Sequence, residues 1–328
     1  MVRRGAFLAA VVLSALAHGA AVGAAAETYP ARPVTIVAPY AAGGGADLIA
    51  RLLAQKLTER LSQSFVVENR LGAGGVIAAT SVAKAAPDGY TLFAGASTQL
   101  AIQPTLHKAL PYDAARDFAP IALVAGVPFI LIVDPSTGVK SVADLVRLAK
   151  QKPGALTYGS SGVGGTPHLF TVLFQTLTGT EMTHVPYKGT AQAILDVVGG
   201  RVPLMFTDLA PALGFVRDGK VRALGISSTT RFAGLPDVPP LAEAGVPGFD
   251  AVAWLMLVAP AGTPDAIVDQ LAGDVKAIMA MPEVRQRFVE LGNLPLDSPP
   301  PAELRGYVKS EIARWGDIVR RAGLAGSE

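Results

Sequence analysis

A chain of 328 residues carrying 28 Lys and Arg against 26 Asp and Glu, a formal charge of +2, is too nearly neutral to hold nucleic acid or a membrane surface by charge. It has no cysteine, which excludes disulfides, thiol catalysis, cysteine-based metal sites and a lipid-modified N-terminal cysteine. The length suffices for two domains, each with its own core.

In chain order, the first element is not part of the fold. Arg3 and Arg4, the apolar stretch "AFLAAVVLSALAHGAAVG" and the alanines at 24–26 make the n-region, h-region and A-x-A cleavage site of a secretory signal peptide over residues 1–26. Its most apolar part is too short to span a bilayer and no charged stop follows it. Cleavage removes both arginines and leaves a neutral mature chain, expected to be periplasmic and not lipid-anchored.

Short apolar runs then alternate with helical patterns. Strands are predicted at 34–39, 65–68, 91–94, 121–124, 130–133, 156–159, 183–186, 203–206, 223–227 and 254–259. Helices are predicted at 47–61, 75–84, 142–151, 168–178, 191–198, 211–217, 265–280, 282–291 and 302–321. In the first helix Leu48, Ile49, Leu52, Leu53, Leu57 and Leu61 make one apolar stripe, with Arg51, Lys56, Glu59 and Arg60 largely off it. The run "FAPIALVAGVPFILIV" is broken by Pro120, Gly126 and Pro128 and reads as two buried strands rather than a membrane span. Ser141 with Asp144 forms a capping pair, and Thr166-Pro167 and Thr263-Pro264 place an N-cap side chain before a proline. Such alternation means α/β architecture with largely parallel sheets covered on both faces. The chain changes domain near 126–128 and again in the turn-rich stretch after Ser227. The C-terminal region lacks the strands for a sheet of its own and completes the first domain. Domain I is therefore 27–126 with 228–328, and domain II is 127–227.

Function is sought in the loops. Six strand ends run into small-residue loops that open helices: "PYAAGGGAD", "NRLGAGG", "GASTQ", "YGSSGVGGTPH", "PYKGT" and "FTDLAP". Glycine allows close backbone approach, and N–H groups at a helix start attract anions. In open α/β sheets such loops converge at the carboxyl ends of strands, where ligands bind. A nucleotide is excluded on motif, because there is neither G-x-G-x-x-G at Gly43 nor any G-K-[ST]. The hydrolase elbow G-x-S-x-G fails because Val163 stands at its last position. His107, His168 and His184 have no metal-ligand spacing. His168 is either a satisfied helix-start residue or a pocket residue. Asp47 either complements a helix dipole or binds a ligand donor. Tyr187 and Lys188 either lie on the surface or face a cleft, and Trp254 reads as core.

At these loops the sequence resembles the Bug-type extracytoplasmic solute receptors, the substrate-binding family of tripartite tricarboxylate transporters. The resemblance rests on six ordered blocks, among them "YPARPVTIVAPYAAGGGADLIARLLAQKL", "VVENRLGAGGVIAATSVAKAAPDGYTL", "YGSSGVGGTPHL" and "VPYKGTAQAILDVVGGRVPLMF", and covers nearly all the mature chain. It implies a type II periplasmic-binding-protein fold, with two α/β domains, a ligand cleft between them and two crossover segments. It also implies a monomer, no enzymatic activity, no cofactor and no metal. The ligand is a small organic carboxylate, held by backbone groups and bridging waters, and the partners are one large and one small integral membrane permease subunit. By motif, domain I would contribute Tyr40, Ala42, Gly43 and Asp47, with Gly74 and Ser97. Domain II would contribute Ser160, Ser161, Gly164, Thr166, His168, Tyr187 and Asp208. Tyr40 and Ala42 stand where the family commonly has phenylalanine and proline, which changes the lining but not the backbone. Two other functions stay open: a periplasmic ligand-sensing adaptor for a signalling kinase, and a secreted serine hydrolase using Ser160 or Ser161 with His168.

Overall fold

The computed structural model describes residues 29–43 and 45–328; the expected signal segment lies outside them. Residues Arg32–Glu328 form one compact unit. No helix among the described residues is long and apolar enough to cross a membrane.

Two sheets organise this unit. Strands β1 (Val34–Ala38), β2 (Phe65–Asn69), β3 (Thr91–Ala96) and β4 (Phe118–Val127) belong to the first. β5 (Phe129–Val133), β6 (Thr157–Ser160), β7 (Thr183–Pro186), β8 (Leu204–Asp208) and β9 (Arg222–Ile226) make the second. The chain then returns to the first sheet with β10 (Ala253–Pro260) and β11 (Leu294–Pro295). The strand orders are β11-β4-β10-β3-β1-β2 and β7-β6-β8-β5-β9. The C-terminal strands thus join the N-terminal ones.

The sheets are mixed rather than largely parallel. β1 is parallel to β2 and β3, and β6 is parallel to β7 and β8, joined by helical crossovers. The strands at the crossings run the other way: β10 is antiparallel to β3 and β4, and β5 to β8 and β9. The physical reason lies at Pro128. Only that residue separates β4 from β5, so one extended run feeds both sheets: β4 keeps the direction of β1–β3, with the returning β10 antiparallel between them, while β5 enters the second sheet against β6 and β8. Pro120 and Gly126 sit within β4. β10 pairs with both through a ladder with two register shifts.

Helices α1 (Gly45–Leu61), α2 (Val76–Ala83), α3 (Gln103–Leu106), α4 (Val142–Gln151), α5 (Thr166–Thr178), α6 (Thr190–Val198), α7 (Leu209–Arg217), α8 (Asp265–Met279), α9 (Pro282–Glu290) and α10 (Pro301–Arg321) complete the unit. Ser141 caps α4 by accepting from Asp144 N at 3.1 Å. The other two expected caps do not form. Thr166 is already the first residue of α5, after Gly165, and α8 starts at Asp265, after Pro264. Two elements were invisible in the sequence pattern: a π-helical turn at Thr98–Ile102 that runs into α3, and β11. The first is nearly all buried and leads into α3 with its Pro104, so it shows no amphipathic period; the second spans only two residues.

Side chains from both sheets share one apolar core. At its centre Phe170 of α5 stacks on Trp315 of α10, with centroids 5.7 Å apart and planes 8° apart. Phe129, Phe206 and Phe249 surround Phe170. Trp254, read as core, is core: its indole donates to buried Glu311 at 2.7 Å, and Trp315 donates to the same oxygen at 3.0 Å.

Candidate functional site

The loop after β1 is shaped by Asp47, fully buried in the first turn of α1. Its Oδ2 accepts from Gly43 N and from Arg51 Nε, both at 2.8 Å, and its Oδ1 accepts from Asn69 Nδ2 at 2.7 Å. Burial alone would raise this carboxyl, but the bonds from Arg51, Asn69 and Gly43 outweigh it and hold its pKa below the usual value. Asp47 therefore folds the loop back on itself, Gly43 adopting φ +83° to do so. Both carboxylate oxygens have protein donors. Ala42 lies exposed at the loop tip.

Gln99 ties this loop to its neighbours. Its Oε1 accepts from Tyr40 Oη at 3.2 Å and from Ala96 N at 3.1 Å, and its Nε2 donates to Gly74 O at 2.7 Å. Gln103 donates to the same carbonyl at 2.9 Å and accepts from Tyr112 Oη at 2.7 Å. One buried amide thus sets the spacing of three loops. Gly75 fits between Gln99 and Pro39 only as glycine: φ is +94°, and a Cβ there would come within 2.5 Å of Gln99 Nε2. Burial pushes the Tyr40 phenol up. Ser97, fully buried beside this hub, has no hydrogen-bond partner for its Oγ among the described residues.

The second sheet offers the loop after β6. Ser160 Oγ, fully buried, accepts from Gly162 N at 3.1 Å and lies 2.5 Å from His184 Nε2. His168 Nδ1 accepts from Gly164 N at 3.1 Å, which leaves Nε2 to carry the proton of the neutral ring. His168 and His184 stack face to face, centroids 3.9 Å apart and planes 10° apart, and Tyr158 stacks on His184 at 5.0 Å. Burial, and then the neighbouring His184, lower the His168 pKa to about 4; burial also lowers His184. Neutral rings are what such a stack requires. Ser161 is half-buried in the same turn. Tyr187 donates its backbone N–H to Ser160 O at 3.0 Å, while its hydroxyl donates to Asp196 at 2.8 Å. Lys188 is exposed. Asp208 ends the neighbouring strand β8.

The two sets of loops meet. Thr166 Oγ1 lies 3.4 Å from Thr98 Oγ1, in the π-turn beside Ser97. Gly164, with φ +68°, packs so closely on Leu106 that a Cβ would fall 2.5 Å from Leu106 Cδ2. The sequence-predicted residues accordingly fall into two groups facing each other. Tyr40, Gly43, Asp47 and Gly74 belong to one hydrogen-bonded framework, with Ser97 buried beside it. Ser160, Ser161, Gly164, Thr166 and His168 belong to the other, and the side chain of Tyr187 points to α6. Gln99, Gln103, Asn69 and His184 were missed, because their partners lie far off in sequence and a lone amide or histidine carries no motif. The serine–histidine pairing needed for a hydrolase is not made with His168; Ser160 meets His184 instead, and its hydroxyl is buried. No cluster of His, Asp or Glu able to hold a metal occurs among the described residues.

Residues 49–324 match the profile of the Tripartite tricarboxylate transporter family receptor, TctC. Protein BugT of Bordetella pertussis is 36% identical over 317 residues, spanning 96% of this chain and 97% of that protein. The chain belongs to this receptor family. Among solved structures, Rpa4515 of R. palustris with adipate is 41% identical with a TM-score of 0.83, over 90% of this chain and 99% of that one. MatC of Rhodopseudomonas palustris with bound malate is 36% identical with a TM-score of 0.78, over 89% of this chain and all of that one. The receptor has the mixed α/β fold of the type II periplasmic binding proteins, with two sheet-containing domains.

Proposed function

We propose that this receptor captures a small organic carboxylate in the periplasm and delivers it to a tripartite tricarboxylate-type membrane transporter. The ligand lies between the loop set of Tyr40–Asp47, Gly74 and Ser97 and the loop set of Ser160–His168, with Asp208 at its far end. Binding stabilises the closed arrangement of domain I (27–126 with 228–328) over domain II (127–227) through contacts made to both halves at once. The one large and one small permease subunits would take the ligand from the closed form. Adipate in Rpa4515 and malate in MatC support a carboxylate ligand here.

The observation that carries this reading is Ser97. An unpartnered buried hydroxyl costs about 1–3 kcal/mol, and this one stands beside the Thr98–Thr166 bridge where the two loop sets meet. A ligand or its bound water supplies the missing partner. Of the other unpartnered buried atoms among the described residues, Asp274 Oδ2 and Arg314 Nε belong to ion-paired groups, leaving the hydroxyl of Thr80 on α2. Ser97→Ala is expected to leave thermal stability unchanged or slightly raised without ligand and to weaken carboxylate affinity about tenfold in calorimetry. Unchanged affinity would remove Ser97 from the site.

A further inference from the structure

Helix α10 carries two glycines, Gly306 and Gly316. A glycine inside a helix costs stability relative to alanine, so it calls for a packing reason. Gly306 has none: nothing lies within 4 Å of where its Cβ would be. Gly316 has one. It is buried, and a Cβ there would fall 2.7 Å from Thr105 Oγ1 of α3. Thr105 is β-branched with few alternative rotamers, so α3 and α10 approach this closely only over a glycine. The next residue, Leu106, is the one that Gly164 meets. The same stretch is tied again after α10 ends. Gly326 N donates to Thr105 O at 3.1 Å, Glu328 N to Leu106 O at 3.3 Å, and Lys108 N to Glu328 O at 2.8 Å. Trp315, just before Gly316, holds the other half of the contact through its stack on Phe170 of α5. Phe170 lies one turn after Thr166 on the same helix face, and Thr166 meets Thr98. Two adjacent residues of one helix thus hold α3, which presents Leu106, and α5, which follows directly on Gly164.

Resting on the carboxylate-receptor reading above, we propose that Gly316 is a positioning residue for ligand capture: it seats Thr105 on α10 and so sets Leu106 where it meets Gly164. Gly316 touches no ligand and acts through α3. Helix α10 is the common frame, and Trp315 fixes that frame to α5. Gly164 leaves little tolerance, since it sits at φ +68° and even a Cβ would come within 2.5 Å of Leu106. A side chain at position 316 pushes α3 off the frame. Leu106 then shifts relative to a turn whose own helix stays stacked on Trp315. The two loop sets no longer meet in register, and the contacts a bound molecule makes to both at once weaken. The helix itself loses nothing, because alanine is the better helix former.

The test is calorimetric titration of the purified protein alongside thermal unfolding. The probe is adipate or malate, whichever binds the wild type more tightly, or failing both the tightest binder in a wider carboxylate panel. Gly316→Ala is expected to bind it about fivefold more weakly or worse, while its melting temperature without the probe stays close to that of the wild type. Thr105→Ala, which removes the atom the new methyl meets, is the reference for rescue. The double variant Gly316→Ala, Thr105→Ala is expected to bind within about twofold of Thr105→Ala alone. Unchanged affinity in Gly316→Ala overturns the proposal. So does an affinity loss that Thr105→Ala does not restore, which would mean general damage to the helix packing. If Gly316→Ala does not fold, the double variant decides: affinity equal to that of Thr105→Ala upholds the proposal, and weaker binding or no folding overturns it. All these outcomes leave the receptor reading standing. A wild type that binds no compound in the panel overturns the receptor reading itself, and the proposal with it.

Discussion

At the scale of single residues, the candidate site is built mostly from groups that have given their hydrogen bonds to the protein, with the Ser97 hydroxyl the exception. Asp47 was legible as a first-turn acid, but its two possible roles were not separable, because its partners Asn69 and Gly43 approach only once the loop has folded. His168 was likewise open, and the structure places it in a stack that no spacing rule encodes, since His184 comes from a separate strand. The stack has a consequence for pH. The His168 pKa falls from about 6.5 to about 4 on folding, so between those values the unfolded chain binds more protons than the folded one. Stability is then full above about pH 6.5 and declines as pH falls toward 4. His168→Phe keeps a stackable ring but leaves Gly164 N unpaired. Urea unfolding across this pH range is expected to show a lower plateau for that variant, by about 1–3 kcal/mol, and a shallower decline on the acid side. An equally steep decline in both proteins would assign the effect to other groups.

At the scale of elements, the strand-loop-helix pattern made the loops visible, while the parts that hold them in place escaped notice. The π-turn Thr98–Ile102 has no apolar period because it is nearly all buried, yet it supplies Gln99, which joins three loops. Replacing Gln99 by Leu keeps the volume and removes the side-chain bonds to three partners. Gly74 O retains Gln103, whereas Tyr40 Oη and Ala96 N lose their acceptor. Stability should fall by about 1–3 kcal/mol, with a larger proportional loss of ligand affinity than of melting temperature, checked by thermal shift with and without ligand. Expectations failed where local preference met tertiary geometry. Thr166 does not cap α5, since its hydroxyl faces Thr98, and the expected parallel sheets became mixed because the crossing strands must enter each sheet in the opposite direction.

At the scale of the whole molecule, the discontinuous path of the chain was readable from a simple deficit: the C-terminal region has too few strands to stand alone. The closeness of the two loop sets was not readable, because it depends on Gly164 meeting Leu106. That contact tests closure independently of ligand chemistry. Gly164→Val introduces a branched side chain at φ +68° where even a Cβ lies 2.5 Å from Leu106, so it strains the turn and wedges the halves apart. Small-angle scattering should show a larger radius of gyration than wild type in the presence of ligand, and affinity should fall at least tenfold. An unchanged radius and affinity would mean that the loops do not close on this contact.

The most direct measurement is calorimetric titration of the protein, unfolded and refolded to free any carried-over ligand, with a panel of mono- and dicarboxylates that includes adipate and malate. The account predicts saturable one-to-one binding of at least one carboxylate, with a matching rise in melting temperature because the ligand binds only the folded state. Refolded protein that binds none of them, with no change in melting temperature, would contradict it.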